Sequence, residues 1–134
     1  MSTKSSDPRP LSPHLQVWRW HPTMASSILH RFTGGANYVG ALLVVVWLVL
    51  LASGPEAYAI WEGLRAGPLG ILVTLALMGL TLTLVYHWLN GLRHLVWDAG
   101  YGFDPKGSNL RSTLIKFGSV IITTLIWFFA GGLI

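Results

Sequence analysis

The sequence predicts an all-α membrane protein, with three transmembrane helices preceded by a short cytoplasmic N-terminal segment. Three observations carry that expectation. Hydrophobic residues make up 52% of the 134-residue chain and charged residues only 10%, where a soluble domain carries about 25% charged residues. The apolar residues gather into three long runs, and the basic residues flank those runs instead of interrupting them. With a mean hydropathy of +0.55, lipid must solvate much of the surface. Helices are the default because an open sheet would leave backbone groups unpaired in lipid, and three spans cannot close a barrel.

Residues 1–21 form the N-terminal segment, rich in Pro, Ser and Lys/Arg and without an apolar period. On that composition it is a flexible tail. Leu15, Val17, Trp18 and Trp20 are too apolar for a free tail, however, and point to a segment lying at headgroup level or against a soluble partner. The remainder, residues 22–134, is a three-helix anchor with spans at about 23–53, 68–98 and 112–134. The first contains the charge-free core Gly34–Ser53, just long enough to cross about 30 Å of hydrocarbon. A helix starting near Pro22 is too long for the hydrocarbon, so its first two turns stand in the interface. LLASG after this run suggests a cleavage site, but the polar region ahead of it is far longer than a secretory n-region, so the span is retained. The second span opens after Pro68 and stays uncharged until Arg93, proline being suited to a helix start. The third is apolar from Leu114 onward, with Lys116 near its start.

Lys4, Arg9, Arg19 and Arg31 precede the first span, and Arg93, Lys106, Arg111 and Lys116 flank the second loop. The first loop has only Arg65, beside Glu56 and Glu62. This asymmetry places the amino terminus and the second loop in the cytoplasm. The amino-terminal stretch lacks the character of an organelle transit peptide, so a bacterial inner (cytoplasmic) membrane is the simpler location. The absence of cysteine excludes disulfides, thiolate catalysis and cysteine-ligated iron–sulfur clusters within this chain. The net charge of +4 clusters at segment ends, a topology signal and not a nucleic-acid interface. Three spans without a repeat pair or a broken helix argue against a transporter.

Chemistry concentrates in YHWLNGLRHLVWD, where His87, Gly91, His94 and Asp98 share one helical face. His87 lies about 16 Å deeper along the axis than Asp98, and an ionisable residue within a span is costly unless partnered. A neutral imidazole beside the open space of a glycine suits a metal, in a membrane often haem iron. The same spacing fits a histidine hydrogen-bonded to a neighbouring helix. His94 stands nearer the interface, where hydrogen bonding, a propionate contact and snorkelling all fit. The two cannot ligate one iron: they are about 10 Å apart along the helix, against about 4 Å between axial nitrogens. His30, at the end of the first span, is a poor second ligand and Met78 no obvious substitute, so a six-coordinate haem needs a ligand from another chain.

The second cluster is SSILHRFTGG, residues Ser26 to Gly35. Ser27 and Arg31 stack at i, i+4 with Gly34 on the same face. A hydroxyl and a guanidinium at the membrane rim could hold a head group with carbonyl oxygens, such as a quinone, although a lipid phosphate satisfies the arginine equally. Trp88 and Trp97 read as interfacial or packing residues.

RPLSPHLQVWRW (Arg9 to Trp20), SILHRFTG (Ser27 to Gly34) and HWLNGLRHLVWD (His87 to Asp98) occur in this order alongside three spans. Together they resemble the cytochrome b556 subunit of succinate dehydrogenase, the larger membrane anchor of complex II, over nearly the whole chain. One departure is Trp18, where many relatives have tyrosine; it bears on contact with a neighbouring subunit and touches no ligand. The resemblance implies a subunit of a succinate:quinone oxidoreductase outside its catalytic core. Succinate would be oxidised on a flavoprotein subunit and electrons passed through an iron–sulfur subunit to ubiquinone. This chain and a second small membrane anchor subunit would dock those partners and bind quinone and haem b. The resemblance further implies that His87 is the axial ligand of the haem iron, that Ser27 and Arg31 belong to the quinone site, and that His30, Arg31 and His94 contact the haem. No catalytic residue, flavin or cluster is expected in this chain. A fumarate reductase anchor and a purely structural anchor without haem are the competing readings.

Overall fold

The computed structural model describes residues 19–131, which are helical apart from short connections. Four helices follow in order: α1 (Pro22–Ala52), α2 (Pro55–Ala66), α3 (Gly70–Asp98) and α4 (Pro105–Gly131). Helices α1, α2 and α4 each open on a proline, whose missing N–H is no loss in a first turn that has no intrahelical acceptor. The break between α1 and α2 falls at Gly54, with φ at 98°, a backbone region that only glycine enters without strain. Between α3 and α4 the chain turns on Gly100 and Gly102, with φ at 87° and 80°. Asp104 then caps α4: its Oδ2 accepts the Gly107 N–H at 2.6 Å and its Oδ1 accepts from Arg111 at 3.0 Å. Both contacts favour the ionised form, so Arg111 first and the Gly107 amide second hold this carboxyl below its ordinary range.

Helices α1, α3 and α4 have 31, 29 and 27 residues and are apolar enough to cross a membrane, bearing out the three expected spans. At 1.5 Å per residue each is about 40 Å or longer, so the polar ends outrun about 30 Å of hydrocarbon. Helix α4 begins at Pro105, ahead of the expected 112, and the added turns bring Ser108 into the bundle. Helix α2 is an element the hydropathy pattern did not announce. It is short and amphipathic, with Glu56 in its first turn and Arg65 in its last, each complementing the helix dipole.

Helix α3 is central and packs on both α1 and α4. Ser26 meets Asn90, Thr33 meets His87, Asn37 accepts from Thr83 at 2.8 Å, and Gly40 abuts Leu80. Partners climb α1 as they descend α3, so the pair is antiparallel. A Cβ on Gly40 would strike the Leu80 side chain, and its absence lets the helices approach closely. Helix α4 is tied by Arg93 to Ser108, by Trp127 to the Thr81 hydroxyl, and by Ser112 to the Pro22 carbonyl at 2.9 Å.

The buried positions are small or polar and the large apolar side chains face outward, the reverse of a soluble domain and as expected where lipid is the solvent. A groove of about 790 Å³ lies among α1, α2 and α3, lined by alkyl and aromatic side chains such as Val39, Leu43, Trp47, Ile60 and Leu77. It contains no histidine, so this groove and the chemistry are at different places.

Candidate functional site

His87 points from α3 into the junction with α1. Its ring stacks on that of His30, with centroids 3.9 Å apart and planes within 9°. His94 lies 5.2 Å from His30 and meets Trp97 edge-on at 5.0 Å. Three histidines separated in sequence are therefore neighbours. They do not converge as a set of ligands on one ion among the described residues.

The hydrogen bonds of His87 fix its tautomer. Its Nδ1 is 3.2 Å from the His30 carbonyl oxygen and 3.1 Å from the Thr33 hydroxyl. A carbonyl oxygen can only accept, so Nδ1 carries the proton and Nε2 carries a lone pair. Thr33 gives its own hydrogen to the His30 carbonyl at 3.1 Å, which leaves its oxygen lone pairs facing His87. Two glycines shape the surroundings. A Cβ on Gly34 would come within 3.2 Å of the His87 ring, so the imidazole rests on bare backbone. A Cβ on Gly91 would meet nothing within 4 Å, and this face beside His87 is open.

These features fit a haem. The donor is a neutral imidazole with its lone pair unshared, and a flat macrocycle has room against Gly91. His30 adds a buried Nδ1 with no partner among the described residues. It does not fit as the opposite ligand of the same iron, because parallel rings 3.9 Å apart are in van der Waals contact with no space between them.

Ser27 and Arg31 stand on the exposed face of α1, and neither makes a hydrogen bond or ion pair among the described residues. They share a helix with His30 but are not part of the histidine network. Trp88 is exposed at 64%, in keeping with a membrane-facing residue. Trp97 packs: it lies 4.1 Å under the Arg93 guanidinium and donates to the Gly102 carbonyl at 3.0 Å. Leu15, Val17 and Trp18 lie outside the described residues.

Beside the histidines runs a buried polar network that the motif reading passed over. Ser26 and Asn90 are fully buried, and the Ser26 hydroxyl donates to Asn90 Oδ1 at 3.0 Å. The Tyr86 hydroxyl donates to the Ser26 carbonyl at 2.9 Å. Arg93, also buried, reaches Asn90 at 3.4 Å and Ser108 at 2.9 Å, and the Trp97 face takes the place of a counter-ion. The signal was present in the spacing. Tyr86, Asn90 and Arg93 form an i, i+4, i+7 stripe, and Ser26, Thr33, Asn37 and Gly40 form the matching stripe on α1.

With this geometry in hand, comparison with known proteins is direct. A model of the succinate dehydrogenase/fumarate reductase transmembrane subunit matches residues 5–126. The chain belongs to this family. It is 42% identical over 123 residues to the succinate dehydrogenase cytochrome b556 subunit of Paracoccus denitrificans, covering 90% of this chain and 92% of that one. The corresponding subunit of Rickettsia conorii is 34% identical over 119 residues, with 89% and 90% covered. A mitochondrial cytochrome b560 subunit from Sus scrofa is 42% identical over 95 residues, 70% of this chain and 55% of its own length. The likeness read from the three sequence motifs is thus borne out, and with its three long apolar helices this member of the succinate dehydrogenase/fumarate reductase family is a multi-pass membrane protein.

Proposed function

We propose that this chain is the larger membrane anchor of a succinate dehydrogenase, holding haem b and forming part of the ubiquinone site. The observation that carries the proposal is the orientation of His87: the α1 backbone holds Nδ1, so Nε2 is the nitrogen left to ligate iron. A bound haem b would supply a one-electron site within the membrane. His87 would hold the iron through Nε2, and His30 and His94, the neighbouring imidazoles, would be available to the carboxylates of the haem. A further ligand would come from a second small anchor subunit, since no second histidine among the described residues is placed to share the iron with His87. Haem is supported by the cytochrome names of the relatives, and assembly with further subunits by their succinate dehydrogenase names. Ubiquinone, the flavoprotein and the iron–sulfur subunit are part of the proposal through the resemblance carried by the three sequence motifs.

Arg31 and Ser27, exposed one turn apart, offer a charged and a neutral donor to a quinone carbonyl. Arg31 can also pair with a haem propionate. The distribution of basic residues supports a cytoplasmic position for this end of the bundle in a bacterial inner membrane, where the soluble subunits would dock.

The proposal is tested by purifying the chain with its native partners. A flavoprotein, an iron–sulfur protein and a second small anchor should co-purify. In that complex Arg31→Ala should strongly reduce ubiquinone reduction while succinate oxidation by a soluble acceptor continues. Ser27→Ala should weaken the same step less, a hydrogen bond of this kind being worth about 0.5–1.5 kcal/mol. Normal quinone turnover in both assembled variants would assign the pair to lipid or packing. Preference for ubiquinone over menaquinol separates this reading from a fumarate reductase anchor.

A further inference from the structure

Three threonines of the bundle illustrate what a membrane helix ordinarily does with a hydroxyl. Thr74, Thr113 and Thr124 each donate to the carbonyl four residues back on their own helix and reach no further. Thr33 differs. It is buried, at 6% exposure, donates three residues back to the His30 carbonyl, and presents its oxygen to His87 Nδ1 on another helix. One carbonyl and one hydroxyl therefore share a single imidazole proton, and the hydroxyl is itself oriented by that carbonyl. Gly34, the next residue, supplies the backbone surface under the same ring.

We infer that Thr33 is a positioning residue for His87, fixing the direction of its Nε2 lone pair and raising the electron density there. The inference rests on the haem reading above and adds to it a residue that acts on the ligand through the ligand's other nitrogen. An acceptor on Nδ1–H makes an imidazole a more basic donor and fixes its ring orientation. A more basic donor favours ferric over ferrous iron and lowers the midpoint potential. Losing the Thr33 acceptor leaves the His30 carbonyl in place, so the result is a weakened and retuned ligand, not a lost one.

The test uses the assembled complex with its haem. Thr33→Val keeps the shape and removes the hydroxyl; Thr33→Ala removes it without adding bulk; Thr33→Ser keeps it. The readouts are haem content, haem affinity, and the midpoint potential from a redox titration of the α band. Thr33→Val and Thr33→Ala should bind haem about tenfold more weakly and shift the midpoint potential upward, and Thr33→Ser should restore both. If the valine variant does not assemble, the alanine and serine pair decides. Unchanged affinity and potential in Thr33→Ala, a downward shift, or a serine variant resembling alanine would overturn the role of Thr33 while leaving His87 as ligand. A wild-type complex without a b-type band would overturn the haem reading itself, and this inference with it.

Discussion

The two ends of the bundle are held together by different physics. Where α1 begins and α3 ends, the contacts are hydrogen bonds among Ser26, Tyr86, Asn90, Arg93 and Ser108, with the histidines beside them. Toward the other end Gly40 sits against Leu80, and the space under α2 is an apolar groove. In lipid, apolar contact between helices gains little over contact with lipid tails, so shape and hydrogen bonds decide which helices pair. The polar end therefore fixes register and side-chain direction, as a ligand site requires. The other end relies mainly on close packing, with the Trp127–Thr81 hydrogen bond tying α4 to α3 there.

The same substitution at two glycines gives the largest contrast. Gly79 and Gly91 both have open space where a Cβ would go. Leucine at either should leave this chain's own packing intact. Gly91→Leu should abolish most haem binding by filling the seat beside His87, whereas Gly79→Leu should leave haem content at the wild-type level. The haem to protein ratio of the purified complexes checks this, and equal loss at both positions would break the distinction between the ends.

Next in size is Asn90→Leu. It removes a fully buried amide that accepts from Ser26 and Arg93 and leaves those donors unsatisfied, at a cost of about 1–3 kcal/mol. The thermal midpoint of the complex in detergent should fall accordingly. Gly40→Ala at the other end should cost about 1 kcal/mol or less, because the obstructing group is the end of a leucine side chain that can turn aside. Finding the alanine the more damaging would reverse the comparison.

The smallest effect concerns Asp104. Its carboxyl is held below the ordinary 3.8 by Arg111 and the Gly107 amide, so the group is bound more tightly as a carboxylate when folded. Its contribution to the α4 cap is complete above that ordinary value and is lost as pH falls through the lowered one. Amide exchange at Gly107, corrected for intrinsic rate, should be protected from neutral pH down to about 4 and lose protection below. Asp104→Asn should remove the pH dependence.

Much of this was legible in the sequence because lipid imposes simple rules. The three spans follow from length and composition, and the face shared by His87, Gly91 and His94 follows from helical period. Helix α2 was hidden because a short amphipathic helix has no long apolar run. The stacking of His30 on His87 depends on how far one helix slides along another, and no pattern within either helix encodes that. Thr33 and Asn90 were passed over for a related reason: mid-span hydroxyls and amides often serve their own helix, and only the packed bundle shows which of them find a partner across the interface. His30, Arg31 and His87 declared their chemistry by residue type, whereas Thr33 and Asn90 needed their neighbours.

The central claim is that His87 carries a haem shared with another chain, and the reduced-minus-oxidised optical spectrum tests it most directly. The wild-type chain co-expressed with its partner anchor should give a low-spin six-coordinate b-type signal. His87→Ala should abolish that signal, and His94→Ala should shift or weaken it while the axial bond remains. An undiminished low-spin band in His87→Ala, or a stable bis-histidine haem in the isolated monomeric chain, would contradict the account.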